Sequence, residues 1–191
     1  MSLRAGVLGS TRGTALQGVF DAIAGGTLDA EIAIVISDRA TAPILERARL
    51  YNAPALFLDP TGLSREAYDE RVTETLRDAR VDVVLMIGYM RITSARFVDA
   101  WRARMLNVHP SLLPAFAGLM NRKVHEAVLA SGVGETGCTI HQVTEEVDGG
   151  PIVLQKRCPV LPGDTVDSLK DRVQALEQSA FVEVLRDWRR P

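Results

Sequence analysis

Short apolar runs alternate with longer amphipathic stretches through the first half of the chain. Residues 5–8 form a run of strand length, and residues 14–24 follow with Leu16, Val19, Phe20 and Ile23 at helical spacing. The alternation repeats with an apolar run at 30–37, a helical stretch near 42–51 and a shorter run at 55–58. Ser64 stands where an N-cap belongs, before a helix whose apolar line is Tyr68, Val72, Leu76 and Ala79. Residues 81–87 are almost continuously apolar, as expected of a strand covered on both faces. Strands and helices alternating at these lengths predict βαβ units and an α/β fold with a doubly wound, Rossmann-like, mostly parallel sheet.

The pattern changes after His109. Residues 137–143 and 151–160 read as two strands with little between them but the 145–150 loop. So short a connection admits an antiparallel or splayed pair and no helical crossover. Thr165 then caps a long final helix carrying Leu169, Val173, Leu176 and Ala180, extended by Phe181, Leu185 and Trp188. With no repeat and no low-complexity linker, the expectation is one domain over 1–191. Its N-terminal half, about 1–100, would bind phosphate, and the half at about 101–191 would carry catalysis.

Composition narrows the partners. Of 191 residues, 47% are hydrophobic and 5% aromatic, enough for a full and mainly aliphatic core. A net charge of −2 supplies no drive toward nucleic acid, and the basic Arg189-Arg190-Pro191 tail is too short to change that. The N-terminus shows no signal-peptide core, and no apolar run approaches the ~20 residues that cross a bilayer, so a cytoplasmic protein without membrane contact is expected. Cys138 and Cys158 lie in apolar stretches without metal-ligand spacing and read as reduced, packed thiols.

Three constellations could carry chemistry. The first strand–helix turn, residues 9–14, matches neither a dinucleotide fingerprint nor a P-loop. Its glycines, hydroxyls and helix N-terminus still suit a phosphate monoester, with Arg12 able to add charge. Residues 88–92 leave the end of the buried 81–87 strand, where backbone groups can grip a flat heterocycle. The third set is Asn107, His109 and Asp148. Asn107 and His109 share one face of a strand whose other face carries Leu106 and Val108, and Pro110 ends it. An Asp-Gly-Gly segment is by itself a turn. If the fold brings Asp148 to His109, the carboxylate fixes the imidazole tautomer and raises its pKa. Two donors aimed at one point then suit a developing oxyanion. Nothing in the spacing of His, Cys and carboxylates builds a metal shell.

Taken together these residues resemble the folate-dependent formyltransferases. The resemblance rests on the Gly13-Thr14 turn, Ser64-Arg65-Glu66-Ala67-Tyr68, Gly88-Tyr89-Met90-Arg91-Ile92, residues 106–114, residues 145–151 and residues 172–177, in order along nearly the whole chain. Its most specific parts are Asn-x-His-Pro-Ser-Leu-Leu-Pro and the later Asp-Gly-Gly-Pro. The brevity of the chain points to the branch that formylates 5-phosphoribosyl-glycinamide in purine synthesis.

The resemblance implies roles. His109 would be the general acid/base, Asn107 its partner donor, and Asp148 the group holding His109 protonated. Gly13, Thr14 and Ala15, aided by Arg12, would take the substrate phosphate, and Glu177 the glycinamide end. The cosubstrate 10-formyltetrahydrofolate would sit against Arg65, Met90, Arg91, Ile92 and Thr93. Asn107, Val143, Val147 and Asp148 would close around it. The partners implied are small molecules only, on a monomer or homodimer. Two departures stand out: family members commonly carry Asn where this chain has Ala15, and residues 118–125 differ and run slightly longer. A hydrolase using water as the formyl acceptor, or a non-catalytic folate- or nucleotide-binding module, would use the same residues.

Overall fold

A computed structural model describes residues 2–188, so the Arg189-Arg190-Pro191 tail lies outside the described residues. Seven strands form one sheet in the order β3-β2-β1-β4-β5-β6-β7. The first five are β1 (Leu3–Leu8), β2 (Ala30–Ser37), β3 (Ala55–Phe57), β4 (Val83–Met86) and β5 (Met105–His109). All neighbours among them are parallel. The last two, β6 (Glu135–Gln142) and β7 (Ile152–Pro159), join antiparallel, as the short loop between them requires.

Side chains alternate across the sheet into two cores. Val7, Val83, Leu85, Leu106, Cys138 and Ile140 face one side, where α1 (Thr14–Ala24), α2 (Pro43–Leu50) and α6 (Val166–Arg186) pack. Leu8, Ile36, Val84, Met86 and Met105 face the other, against α3 (Arg65–Asp78) and α4 (Ala95–Ala100). Covering both faces is what makes residues 81–87, Asp82 apart, read as apolar sequence. The ladder itself takes only Val83–Met86. Val81 instead packs beside Gly6, and Ile87 enters the first core. β3 likewise ends at Phe57 rather than 58.

Capping follows the sequence. The Ser64 hydroxyl accepts the Ala67 N–H at 3.1 Å, and Thr165 forms a capping box with Ser168. Trp188 lies two residues past the end of α6 yet packs on the first core.

Two helices have no counterpart in the sequence reading. α4 is only six residues, too short for a periodicity to register. α5 (Arg122–Ser131) buries just Val124, His125 and Val128, and stops at Gly132, whose φ of 68° is left-handed. It packs on α6 and begins inside the 118–125 segment that departs from the family pattern.

Candidate active site

The strand order reverses between β1 and β4, and such a switch opens a crevice at the C-terminal edge of a parallel sheet. A cleft of about 340 Å³ lies there, lined by the loops after β1, β4 and β5, by the start of α5 and by one face of α6. Ser10 ties the first two loops together. Its N–H donates to the Gly88 carbonyl at 3.0 Å, its hydroxyl to Asp38 at 2.6 Å, and it accepts the Met90 N–H at 2.9 Å.

Gly13 caps α1 with a φ of 60°, and a Cβ there would strike Ile44. No side chain caps this helix, which leaves N–H groups of its first turn directed to the cleft. Arg12, Gly13, Thr14 and Ala15 all line it. The Ala15 side chain is sunk in the first core, so only its backbone is available to a ligand.

β5 delivers Asn107 and His109 into the cleft while Leu106 packs behind them in the first core, and Val108 reaches both the core and the cleft lining. Asp148 arrives from a loop 39 residues further on. Its Oδ2 lies 3.2 Å from His109 Nδ1, and both side chains are nearly buried, at 4% and 10% exposure. The Asp-Gly-Gly turn makes this approach possible. Asp148 has a φ of 55°, and a Cβ on Gly150 would sit 1.8 Å from the Gln142 carbonyl oxygen. The turn and the chemistry are therefore one feature.

The carboxylate is shared. Asp148 Oδ2 also accepts the Gly118 N–H at 2.8 Å, and Oδ1 lies 3.6 Å from His141 Nε2. Burial opposes ionisation of Asp148, but the neighbouring His141 ring, the Gly118 N–H and the field of His109 outweigh it. Its pKa falls below the usual value and it stays a carboxylate. His109 goes the other way from expectation. Burial disfavours its charged form more than Asp148 and the Phe116 carbonyl favour it, so its pKa is lowered, not raised. Its Nε2 lies 3.2 Å from the Phe116 carbonyl oxygen, so both ring nitrogens face oxygen acceptors. That surrounding suits an imidazolium in geometry while burial resists it.

His141 is a residue the sequence reading passed over. It pairs with Asn107 across the antiparallel β5–β6 ladder. Its Nδ1–H donates to the Gln142 carbonyl at 3.0 Å, which leaves Nε2 to accept from Asn107 Nδ2 at 3.1 Å. Asn107 is thereby oriented with its amide nitrogen inward. The signal was present: Thr139 and His141 alternate with core residues Cys138 and Ile140, mirroring Asn107 and His109 on the neighbouring strand. Thr139 anchors the turn after β5, donating to the Ser111 carbonyl at 2.7 Å and accepting the Leu113 N–H at 3.0 Å.

Other expected residues divide. Met90, Val147 and Glu177 line the cleft. Burial pushes the Glu177 carboxyl up to about 8, so it is protonated at neutral pH. Arg65, Arg91, Ile92, Thr93 and Val143 do not line it. The Arg91 guanidinium covers the Tyr68 ring at 4.5 Å, and Arg65 sits 3.4 Å from Glu66 on an exposed helix turn. Ile92 is exposed, and Val143 packs against the second core. Among the described residues no group of three or more His, Cys, Asp or Glu is placed to hold a metal ion, and no helix is long and apolar enough to cross a membrane.

Comparison with known proteins meets this geometry from outside. The family model described as formyl transferase matches residues 3–185. A trifunctional purine biosynthetic protein adenosine-3 of Drosophila pseudoobscura pseudoobscura is 42% identical over 95% of this chain, which spans 13% of that protein's length. Phosphoribosylglycinamide formyltransferase of Escherichia coli (strain K12) is 39% identical over 94% of this chain and 84% of its own. A crystal structure of glycinamide ribonucleotide transformylase 1 from Symbiobacterium toebii superposes with a TM-score of 0.92 at 45% identity, covering 97% of this chain and 86% of that one. The match runs through the loops that build the cleft as well as through the sheet, and on that ground the chain belongs to the formyl transferase family.

Proposed function

We propose that this protein transfers the formyl group of 10-formyltetrahydrofolate to the amine of 5-phosphoribosyl-glycinamide. The observation that carries the reading is the meeting of Asn107, His109 and Asp148 in one cleft with the open N-terminus of α1. The named relatives support formyl transfer and the acceptor substrate.

The acceptor amine is itself a nucleophile, so no covalent enzyme intermediate is required. The amine nitrogen bonds to the formyl carbon, and the carbonyl electron pair moves onto oxygen. Asn107 Nδ2–H and His109 Nε2–H, the latter released from the Phe116 carbonyl, are the donors that meet that oxygen. His109 must carry a proton on both nitrogens to do so, because Nδ1–H is directed to Asp148. The developing oxyanion offsets the cost of a buried imidazolium, and the positive charge is strongest where negative charge forms. A proton passes from the attacking nitrogen to the folate nitrogen, through water held by Asp148. That nitrogen leaves with the bonding pair as tetrahydrofolate, and the carbonyl re-forms on the product amide.

The phosphate belongs at Gly13, Thr14 and Ala15, where backbone N–H groups and the helix dipole favour an anion, with Arg12 at the rim. The folate ring belongs between Met90 and the Val147-Asp148 turn, and Arg65 and residues 91–93 would serve its outer parts. Folate is consumed at each turnover as a cosubstrate. Positioning two bound substrates is worth on the order of 7–11 kcal/mol, and each oxyanion donor roughly 2.7–4 kcal/mol.

The test is tetrahydrofolate formation from 10-formyltetrahydrofolate with and without 5-phosphoribosyl-glycinamide. Formation that needs the amine supports the transferase. Equal rates without it would make the protein a hydrolase, and no product in either case would leave a binding module.

A further inference from the structure

The wall of the cleft formed by α5 and α6 carries groups to which the mechanism gives no role. His125 on α5 lines the cleft, is buried, and its Nδ1 has no hydrogen-bond partner. A buried ring nitrogen without a partner is costly unless something else meets it. Lys170 on α6 lines the cleft beside it, and no carboxylate among the described residues pairs with its ammonium. Arg122, the third basic group on this wall, is already engaged with Asp167 and Glu126.

Topology sets Lys170 opposite the start of α1. β7 is parallel to β5 because two antiparallel pairings separate them, so α6 begins at the same sheet edge as α1. The two helices pack side by side, and a Cβ on Gly18 would meet the Gln178 side chain at 2.8 Å. From that crossing, Gly13 lies about 7.5 Å up α1 and Lys170 about 12 Å up α6 at 1.5 Å per residue. Lys170 therefore stands at or beyond the level of the α1 N-terminus, with Gln174 and Glu177 below it on the same helix face.

We propose that Lys170 and His125 form a second contact for the substrate's phosphate, facing the N-terminus of α1. The inference rests on the reading above and names what completes its phosphate site. Lys170 brings the charge and His125 a hydrogen bond. Burial, with Lys170, Arg122 and His109 around it, keeps the His125 pKa down to about 4, so the imidazole donates as a neutral group at working pH. Asp167 and Glu126 on the same wall share Arg122, which offsets one of their two negative charges, and neither lines the cleft.

The experiment measures ribose 5-phosphate and ribose binding by calorimetry, and formyl-transfer kinetics with 5-phosphoribosyl-glycinamide, in wild type, Lys170→Gln and His125→Phe. Lys170→Gln should weaken ribose 5-phosphate binding and raise KM for the amine substrate, each by at least about tenfold, while KM for the folate holds. His125→Phe should weaken the same ligand less, with no change for ribose. Lys123→Gln, on α5 but outside the cleft, should alter neither. Unchanged ribose 5-phosphate binding in Lys170→Gln would overturn the proposal, as would an equal loss toward ribose. If wild type binds ribose 5-phosphate through Lys170 yet transfers no formyl group, the phosphate contact stands and the transferase reading falls.

Discussion

At Asp148 a single carboxylate meets His109, approaches His141 and takes the Gly118 N–H. It thus joins the base, the residue that orients Asn107, and the loop over the cleft. Asn107→Ala and His109→Ala should each lower kcat by about 10²–10³, with smaller effects on KM. Asp148→Asn keeps the shape, and Asn tolerates the positive φ as well as Asp does. It should lower kcat and move the pH profile to more acidic values, since His109 loses the charge that favours its proton. A pH–rate profile superimposable on wild type would remove Asp148 from the proton path. His141→Ala should lower kcat through Asn107 without touching folate KM, and His141→Gln, able to accept the same amide hydrogen, should restore part of it.

Among the elements, the β6–β7 hairpin has the least freedom. Gly150→Ala places a methyl on the Gln142 carbonyl, so the turn must shift and carry Asp148 with it. The expected result is a stability loss of about 1–3 kcal/mol in urea unfolding together with a fall in kcat. A loss of stability with normal kcat would mean the turn and the site are not coupled. Ser64→Ala, by contrast, removes the cap of α3, a residue that does not line the cleft. It should cost about 1 kcal/mol and leave kcat alone. Helix signals were legible where four or more apolar positions repeat, as in α1, α3 and α6. They failed in α5, whose short buried stripe includes a histidine, and in α4, which spans under two turns.

For the whole molecule, two buried groups set opposite pH limbs. Glu177 has its pKa raised from 4.5 to about 8, so its neutral-form stabilisation is complete below pH 4.5 and is lost as pH rises to about 8. His125 is depressed from 6.5 to about 4, so stability is lost as pH falls across that interval. The ceilings are roughly 5 and 3 kcal/mol respectively. The slopes cancel between pH 4.5 and 6.5, and stability should decline outside that window. Glu177→Gln should flatten the alkaline limb, read as urea midpoints that no longer fall between pH 6.5 and 8. A wild-type midpoint constant across that range would show that Glu177 is not buried as a neutral acid.

Local order along the chain was enough to specify the alternating strands and helices, the parallel sheet, the antiparallel end and the pairing of Asn107 with His109 on one face. Periodicity and capping are short-range properties, and each is written in adjacent residues. What only the tertiary structure decided depends on solvent exclusion and on contacts between distant segments. Burial reverses the expected pKa shift of His109, draws the Ala15 side chain into the core and keeps Glu177 protonated. Ladder register places His141 against Asn107, and helix packing sets Lys170 and His125 on the cleft wall. No linear spacing encodes these, because desolvation and register are set by whatever the rest of the fold packs around each group.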